Sequence, residues 1–316
     1  MLFKRSIKKI TLSIFALVLL FLMYLVPNNK DNSYDYSVEY VNKELITHDI
    51  FLLDNNNYLA KTEIIVKNKE IDKLAKELIE DLIINSPNED KIPSGFKAFF
   101  NPNTIINNIE IIDDTIKIDF NDSLLDTKLE LEEKVIEAII YNLTSIENIN
   151  KVIIYINGVI LNYLPQSKIT IPSPLTRNYG INKRYDLKST KNITKTTIYY
   201  LNKFNDNVYY VPVTKRNNNE KDKIDIIIEE LKDSSTINLD SYLNYNTKLV
   251  GKTINDNNIE LDFNEYILTD STNLEILDEV INTISFSIYD NYDIDDIVFK
   301  VNGKEIYKNK NKVLNN

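Results

Sequence analysis

Ile116-Lys117-Ile118-Asp119-Phe120-Asn121 returns as Ile259-Glu260-Leu261-Asp262-Phe263-Asn264, and this repetition decides how the chain is read. Working upstream, Asn103-Thr104-Ile105-Ile106 pairs with Asn246-Thr247-Lys248-Leu249 at the same offset of 143, so the block aligns without a gap. Downstream, Val152-Ile153-Ile154-Tyr155-Ile156-Asn157-Gly158 pairs with Ile297-Val298-Phe299-Lys300-Val301-Asn302-Gly303 at an offset of 145. Ile50-Phe51-Leu52-Leu53 pairs with Ile198-Tyr199-Tyr200-Leu201 at 148. Small drifts between matching blocks are what loop insertions produce in a duplicated domain. Two copies of one module favour assembly or bivalent binding over a single active site.

The element order follows from the pattern within each copy. Residues 49–53 and 61–67 are short runs of strand formers. Ile71, Leu74, Ala75, Leu78, Ile79 and Leu82 have helical spacing, closed by Asn85-Ser86-Pro87. Runs at 105–112 and 115–120 flank Asp113-Asp114, which predicts a hairpin, because Asp suits a tight turn. A second helix carries Leu131, Val135, Ala138, Ile139 and Leu143 on one stripe, with Glu130, Glu132 and Glu133 near its positive end. A strand at 151–156 ends in Asn157-Gly158. The second copy repeats this order with strands 197–201 and 208–213, helix 220–232, hairpin 248–263, helix 273–289 and strand 296–301. It lacks a counterpart of Pro93-Ser94-Gly95. The expected fold is α+β, two β(β)-α-β-β-α-β modules, each with two helices on one face of a mixed sheet.

Ahead of the modules, Lys4, Arg5, Lys8 and Lys9 precede an uncharged run of 17 residues, Ile10 to Val26. At 1.5 Å per residue it spans about 25 Å, near the short end of transmembrane helices. The basic flank orients residues 1–9 to the cytoplasm and everything after Pro27 outside the membrane. A cleaved signal peptide is the competing reading, against which the exit Phe21-Leu22-Met23-Tyr24-Leu25-Val26 lacks the small residues of a cleavage site. The chain therefore divides into a basic end (1–9), a single-pass anchor (10–26), a tether (27–45), a first module (46–163), a joint (164–193), a second module (194–308) and a tail (309–316).

A formal net charge of −10 argues against nucleic acid. The absence of cysteine excludes disulfides, thiolate chemistry and lipid attachment at a cysteine, and a single histidine leaves no His or Cys metal set. His48-Asp49 could open a triad, but the counterpart of His48 is Thr196, and an edge residue at a strand start is the simpler reading. Asp119/Asp122/Asp126, Asp256/Glu260/Asp262/Glu265 and Asp290/Asp293/Asp295/Asp296 offer oxygens to calcium, yet none has EF-hand spacing. Solvated turn and strand-face carboxylates account for them. We expect no enzyme, and no catalytic, cofactor-binding or metal-binding residue. Tyr185, Tyr199, Tyr200, Tyr209 and Tyr210 flank the joint and suit either an interface or strand propensity. Arg177 to Arg184 is a basic island that either fixes the angle between modules by pairing with nearby carboxylates or receives a partner's acidic surface.

Taken together, the duplicated strand–helix–hairpin–helix–strand order, Ile92-Pro93-Ser94-Gly95, Ile118-Asp119-Phe120, the Val152–Gly158 strand with its N-G end, and the joint Leu175–Asp186 resemble the GerMN (sporulation and spore germination) family over residues 46–308. The resemblance implies a sporulation role in a Gram-positive endospore-former. It places such a protein in the envelope complex between mother cell and forespore, where tandem members support a SpoIIQ-containing channel, with modules similar to ring-building folds. Well-known tandem members are lipoproteins; here residues 10–26 would supply the tether instead. The expected function is a non-enzymatic, membrane-anchored assembly factor whose partners are SpoIIQ-type channel proteins or further copies of itself. The alternative is a binding protein for peptidoglycan or a small ligand acting in germination.

Overall fold

The computed structural model describes residues 14–19, 21–22, 45–234 and 238–311. Residues 14–19 and 21–22 are helical, but among the described residues no helix is long and apolar enough to cross a membrane. Much of the expected anchor and all but Leu45 of the expected tether lie outside the described residues. From Leu45 onward the chain forms one compact unit.

In the first module β1 (Thr47–Asp54) and β2 (Leu59–Ile65) form an antiparallel hairpin. The Asp54 carboxylate holds its turn by accepting the N–H groups of Asn56 and Tyr58. Helix α1 (Ile71–Glu80) buries Leu74, Ala75, Leu78 and Ile79, the stripe expected from its spacing. The short β3 (Phe96–Lys97) pairs with the end of β1. Then β4 (Ile106–Ile112) and β5 (Thr115–Phe120) turn through Asp113 and Asp114, with Asp113 at φ 51°. Helix α2 (Leu129–Leu143) leads to β6 (Lys151–Ile156), which lies parallel to β5, and β7 (Val159–Ile160) folds back on β6. The return is made by Asn157 and Gly158 at φ 49° and 78°, conformations that Asn and Gly tolerate.

Past the joint strand β8 (Arg184–Asp186), the second module repeats the order. Its elements are β9 (Thr194–Phe204), β10 (Asn207–Asn217), α3 (Lys223–Lys232), β11 (Leu249–Ile254), β12 (Asn258–Phe263), α4 (Asp278–Tyr289), β13 (Asp296–Val301) and β14 (Lys304–Lys310). Helix α3 starts three residues later than its spacing predicts because Asp222 caps it, accepting the N–H of Ile224. The strand β14 follows Asn302-Gly303 through a run rich in lysine, a composition suited to an edge.

The repeated residues hold the same backbone twice. Asp119 accepts the N–H of Gly158 at 2.9 Å, and Asp262 accepts that of Gly303 at 2.9 Å. Asn121 binds Ile105 N–H and Asn103 C=O, as Asn264 binds Lys248 N–H and Asn246 C=O. Asn142 accepts the N–H of Phe51 from α2, and Ser287 accepts that of Tyr199 from α4, both at 2.8 Å.

The expectation of one mixed sheet per module, with both helices on one face, needs correction. The strands form three sheets: β4-β5-β6-β7, β11-β12-β13-β14, and a six-stranded sheet in which the first hairpins of the two modules meet. In that shared sheet β10 runs beside β9 along its length on one edge, and beside β2 and β8 on the other. The reason lies in α2. Every residue from Val135 to Leu143 is buried, so the helix presents an apolar stripe to both β1 and β6 rather than to a single sheet. Each hairpin is thereby held off the mixed sheet of its own module, with an edge free to pair.

Candidate functional site

The region where the modules meet gathers the buried charges that the sequence scattered. At its centre lies Arg177, donating from Nε to Thr144 Oγ1 at 3.0 Å, with its guanidinium 4.8 Å from the Tyr141 ring centre and 5.8 Å from that of Phe51. Its Nη1 is 3.6 Å from Asp290 Oδ1, and Asp290 Oδ2 accepts the hydroxyls of Tyr141 and Tyr199 at 3.3 and 3.4 Å. The Asp290 side chain is 1% exposed. Burial, reinforced by Asp290, pushes both tyrosine hydroxyls well above their ordinary range, so they donate at every physiological pH. Arg177 and Tyr141 thus tie the joint and the first module to Asp290 of the second.

A second centre closes the seam of the shared sheet. Tyr210 of β10 faces Lys61 of β2, which sets Pro212 opposite Leu59 in the antiparallel register. Proline has no N–H to give a ladder. The Asn182 amide fills the gap, accepting Leu59 N–H at 3.0 Å and donating to Leu59 C=O at 2.8 Å and Pro212 C=O at 2.7 Å. Asn182 sits at φ 46°, which Asn tolerates better than most residues. Its own N–H donates to Glu137 Oε2 at 2.9 Å. Burial pushes the Glu137 carboxyl up to about 7, against the pull of Lys183, Lys134 and that N–H. Lys183 also pairs with Glu133 and lies 3.3 Å from the Tyr179 ring centre.

A third contact explains why Pro93-Ser94-Gly95 has no copy. Gly95, at φ 97°, lies against Phe204 of the other module so closely that a Cβ there would fall 2.7 Å from the ring's Cγ. Phe96 meets Tyr209 edge-on at 4.8 Å, and Asp54 accepts the Tyr209 hydroxyl at 3.0 Å and the Asn202 amide at 3.1 Å. The segment belongs to the interface, which has only one such side.

Carboxylates of the three acidic clusters are engaged by separate partners. Asp126 receives Asn101, Glu260 pairs with Lys300, Asp295 receives Asn257, and Asp296 pairs with Lys308. Among the described residues no group of three or more His, Asp or Glu is arranged to hold a metal. His48 Nδ1 lies 2.8 Å from the carbonyl oxygen of Asp49, whose carboxylate pairs with Lys61, so the two side chains form no catalytic relay. Of the tyrosines singled out, Tyr199 and Tyr209 are bound into the joint, Tyr200 bonds Glu230, Tyr210 receives Asn282 and packs edge-on to Phe286, and Tyr185 is exposed. Asn182 and Asp54 carry the joint without having stood out in the sequence, and Asp290, expected as one of a run of solvated carboxylates, is buried there instead. The one available signal was Pro212 inside an apolar strand.

A shallow cleft of about 400 Å³ opens at the joint between Glu133, Pro172, Pro174, Tyr185 and Arg216. Another of about 400 Å³ lies between Glu229, Lys232, Tyr245 and Lys248 in the second module. Both are rimmed by charged and polar side chains.

Two α+β modules joined through a common sheet define a tandem-domain protein. The family described as Germane, sporulation and spore germination, matches residues 49–162 and again 197–307, and the chain belongs to it. It is 33% identical over 268 residues to the spore germination protein GerM of Bacillus subtilis (strain 168), covering 82% of this chain and 72% of that protein. The solved structure of the tandem GerMN domains of the sporulation protein GerM from Bacillus subtilis superposes with a TM-score of 0.75 at 32% identity, covering 82% of this chain and 92% of that one. This chain is a GerM-like tandem-domain protein with a mixed α+β fold.

Proposed function

We propose that this protein is a non-enzymatic scaffold in spore formation, anchored in the cell membrane with its modules outside. There it would support assembly of an envelope complex between mother cell and forespore, with SpoIIQ-type channel proteins or further copies of itself as partners. The observation that carries the reading is the shared sheet. Polar groups of the joint pair with one another, Arg177 with the buried Asp290 and Asn182 N–H with the buried Glu137, a use that suits a protein whose work is to hold a shape. The names of the similar proteins, a spore germination protein and a sporulation protein, support the cellular setting. The uncharged run from Ile10 to Val26, with Ile14, Phe15, Leu17 and Phe21 exposed, supports the anchor.

The test is the yield of heat-resistant spores after in-frame deletion in the native host, with re-expression of the full chain as control. A loss of several orders of magnitude, restored by the full chain, is expected. Normal yield would overturn the scaffold role.

A further inference from the structure

The stretch from the joint through β10 carries more positive charge than its own carboxylates use. Residues 177–223 contain eleven Lys and Arg against four Asp and Glu, in a chain whose net charge is −10. The inner cations are paired: Arg177 with Asp290, and Lys183 with Glu133 and Glu137. Further along, Lys215 pairs with Glu230 and Lys221 with Glu229, but Lys195 and Arg216 have no such partner among the described residues. Lys195 of β9 and Arg216 of β10 are direct cross-strand partners, and the parallel register with β8 places Tyr185 next to Arg216. Lateral neighbours in a sheet share a face, and like charges directly opposite each other destabilise a strand pair.

Lys195 donates to Arg177 C=O and Asn178 Oδ1, and Arg216 Nη2 donates to the carbonyls of Asn178 and Tyr179. Both side chains thus converge on the turn Arg177–Tyr179. Neither has a carboxylate within ion-pair distance among the described residues. Burial draws the Lys195 ammonium below its ordinary range; Asp290 opposes this, while Lys223, Arg216 and Arg177 add to it. Around this pair Arg184, Lys188 and Lys191 are exposed, as are Tyr185 (61%), Leu187 (40%) and Ile193 (43%). The loop bearing Lys188 and Lys191 is pinned by Asn218, which binds backbone groups of Lys188, Ser189 and Lys191.

We propose that this face, centred on Lys195, Arg216 and Tyr185, docks an acidic segment of a partner protein. Unpaired cations call for carboxylates. The exposed Tyr, Leu and Ile among them call for a partner with apolar side chains, which an inorganic polyanion lacks, and Tyr and Arg are the residues on which protein interfaces concentrate their energy. The inference deepens the scaffold reading and rests on it, since it names the chemistry of the partner.

The test is fluorescence anisotropy with full-length protein in detergent and a labelled glutamate–tyrosine copolymer, with labelled polyphosphate run in parallel. Copolymer binding should weaken with salt, and about tenfold in Arg216→Gln and in Tyr185→Ala, the scale of an interface residue worth more than 1 kcal/mol. Lys248→Glu, in the other cleft, should leave it unchanged. The exposed pair Lys188→Glu/Lys191→Glu gives a second measure should Arg216→Gln fail to fold. Polyphosphate binding that equals the copolymer's and ignores Tyr185→Ala would overturn the proposal in favour of a polyanion site. So would an absence of copolymer binding, or equal losses in Lys248→Glu. Any of these results alongside a sporulation defect on deletion would remove this surface and leave the scaffold role standing.

Discussion

The side chain of Asn182 takes both backbone polar groups of Leu59, standing where Pro212 cannot supply a ladder bond. One amide therefore seals the seam between two domains. Asn182→Ala would leave Leu59 N–H, Leu59 C=O and Pro212 C=O buried without partners. At about 1–3 kcal/mol for each unsatisfied group, a net loss of roughly 3 kcal/mol is expected. Thermal unfolding followed by circular dichroism should show a fall of roughly 6–12 °C, at about 2–4 °C per kcal/mol for a chain of this size.

Arg177 and Asp290 should behave as a coupled pair. Asp290 is buried whereas Arg177 is partly exposed, so losing Arg177, which leaves a buried carboxylate unpaired, should cost about 3–5 kcal/mol and losing Asp290 less. Both Asp290→Asn and Arg177→Met should destabilise in urea titrations, Arg177→Met the more strongly. The double variant should lose less than the sum of the two by more than about 1 kcal/mol. Additive losses would show that the two side chains act separately.

Stability should rise as pH falls from 8 towards 5. Burial raises Glu137 to about 7 and Asp81 to about 6, the latter against Asn88 and Lys91. A carboxyl whose folded value lies above its unfolded one binds its proton more tightly in the folded state, so its protonation favours folding. The window runs from the ordinary carboxylate range up to about 7. Carboxylates held low, such as Glu77 and Asp114, lose their contribution only below that window. Glu137→Gln should flatten the dependence of melting temperature on pH.

Glycine at position 95 should matter more than glycine at 303. Both have positive φ, but a Cβ at Gly303 meets open space whereas one at Gly95 meets Phe204. Gly303→Ala should cost on the order of 1 kcal/mol from backbone strain alone. Gly95→Ala should cost clearly more, and adding Phe204→Ala should remove the steric part of that excess. Equal melting temperatures for the two single glycine variants would contradict the contact.

What the sequence revealed was what each module does for itself. Asp119, Asn121, Asn157 and Gly158, with their copies, hold local backbone, so their identities repeat wherever that backbone repeats. The welding of the modules was less legible. Asn182 is one asparagine in an asparagine-rich chain, and its task is defined by Leu59 and Pro212, far away in sequence. Asp290 stands in an acidic run that reads as solvated, although Arg177 was already visible as part of a basic island able to fix the angle between modules. The stripe on α2 suggested one packing face, although Ile136, Ile140 and Tyr141 lie off that stripe and mark burial on a second side.

The two modules belong to one compact unit, and electron–electron double resonance measures whether that unit is rigid. The chain has no cysteine, so Asn108→Cys on β4 and Thr253→Cys on β11, both at exposed positions, would carry the only two spin labels. One narrow distance distribution is expected in the wild-type background, insensitive to salt and broadened by Asn182→Ala. A broad or two-peaked distribution in the wild-type background would mean that the modules move independently, and the rigid scaffold would have to be given up.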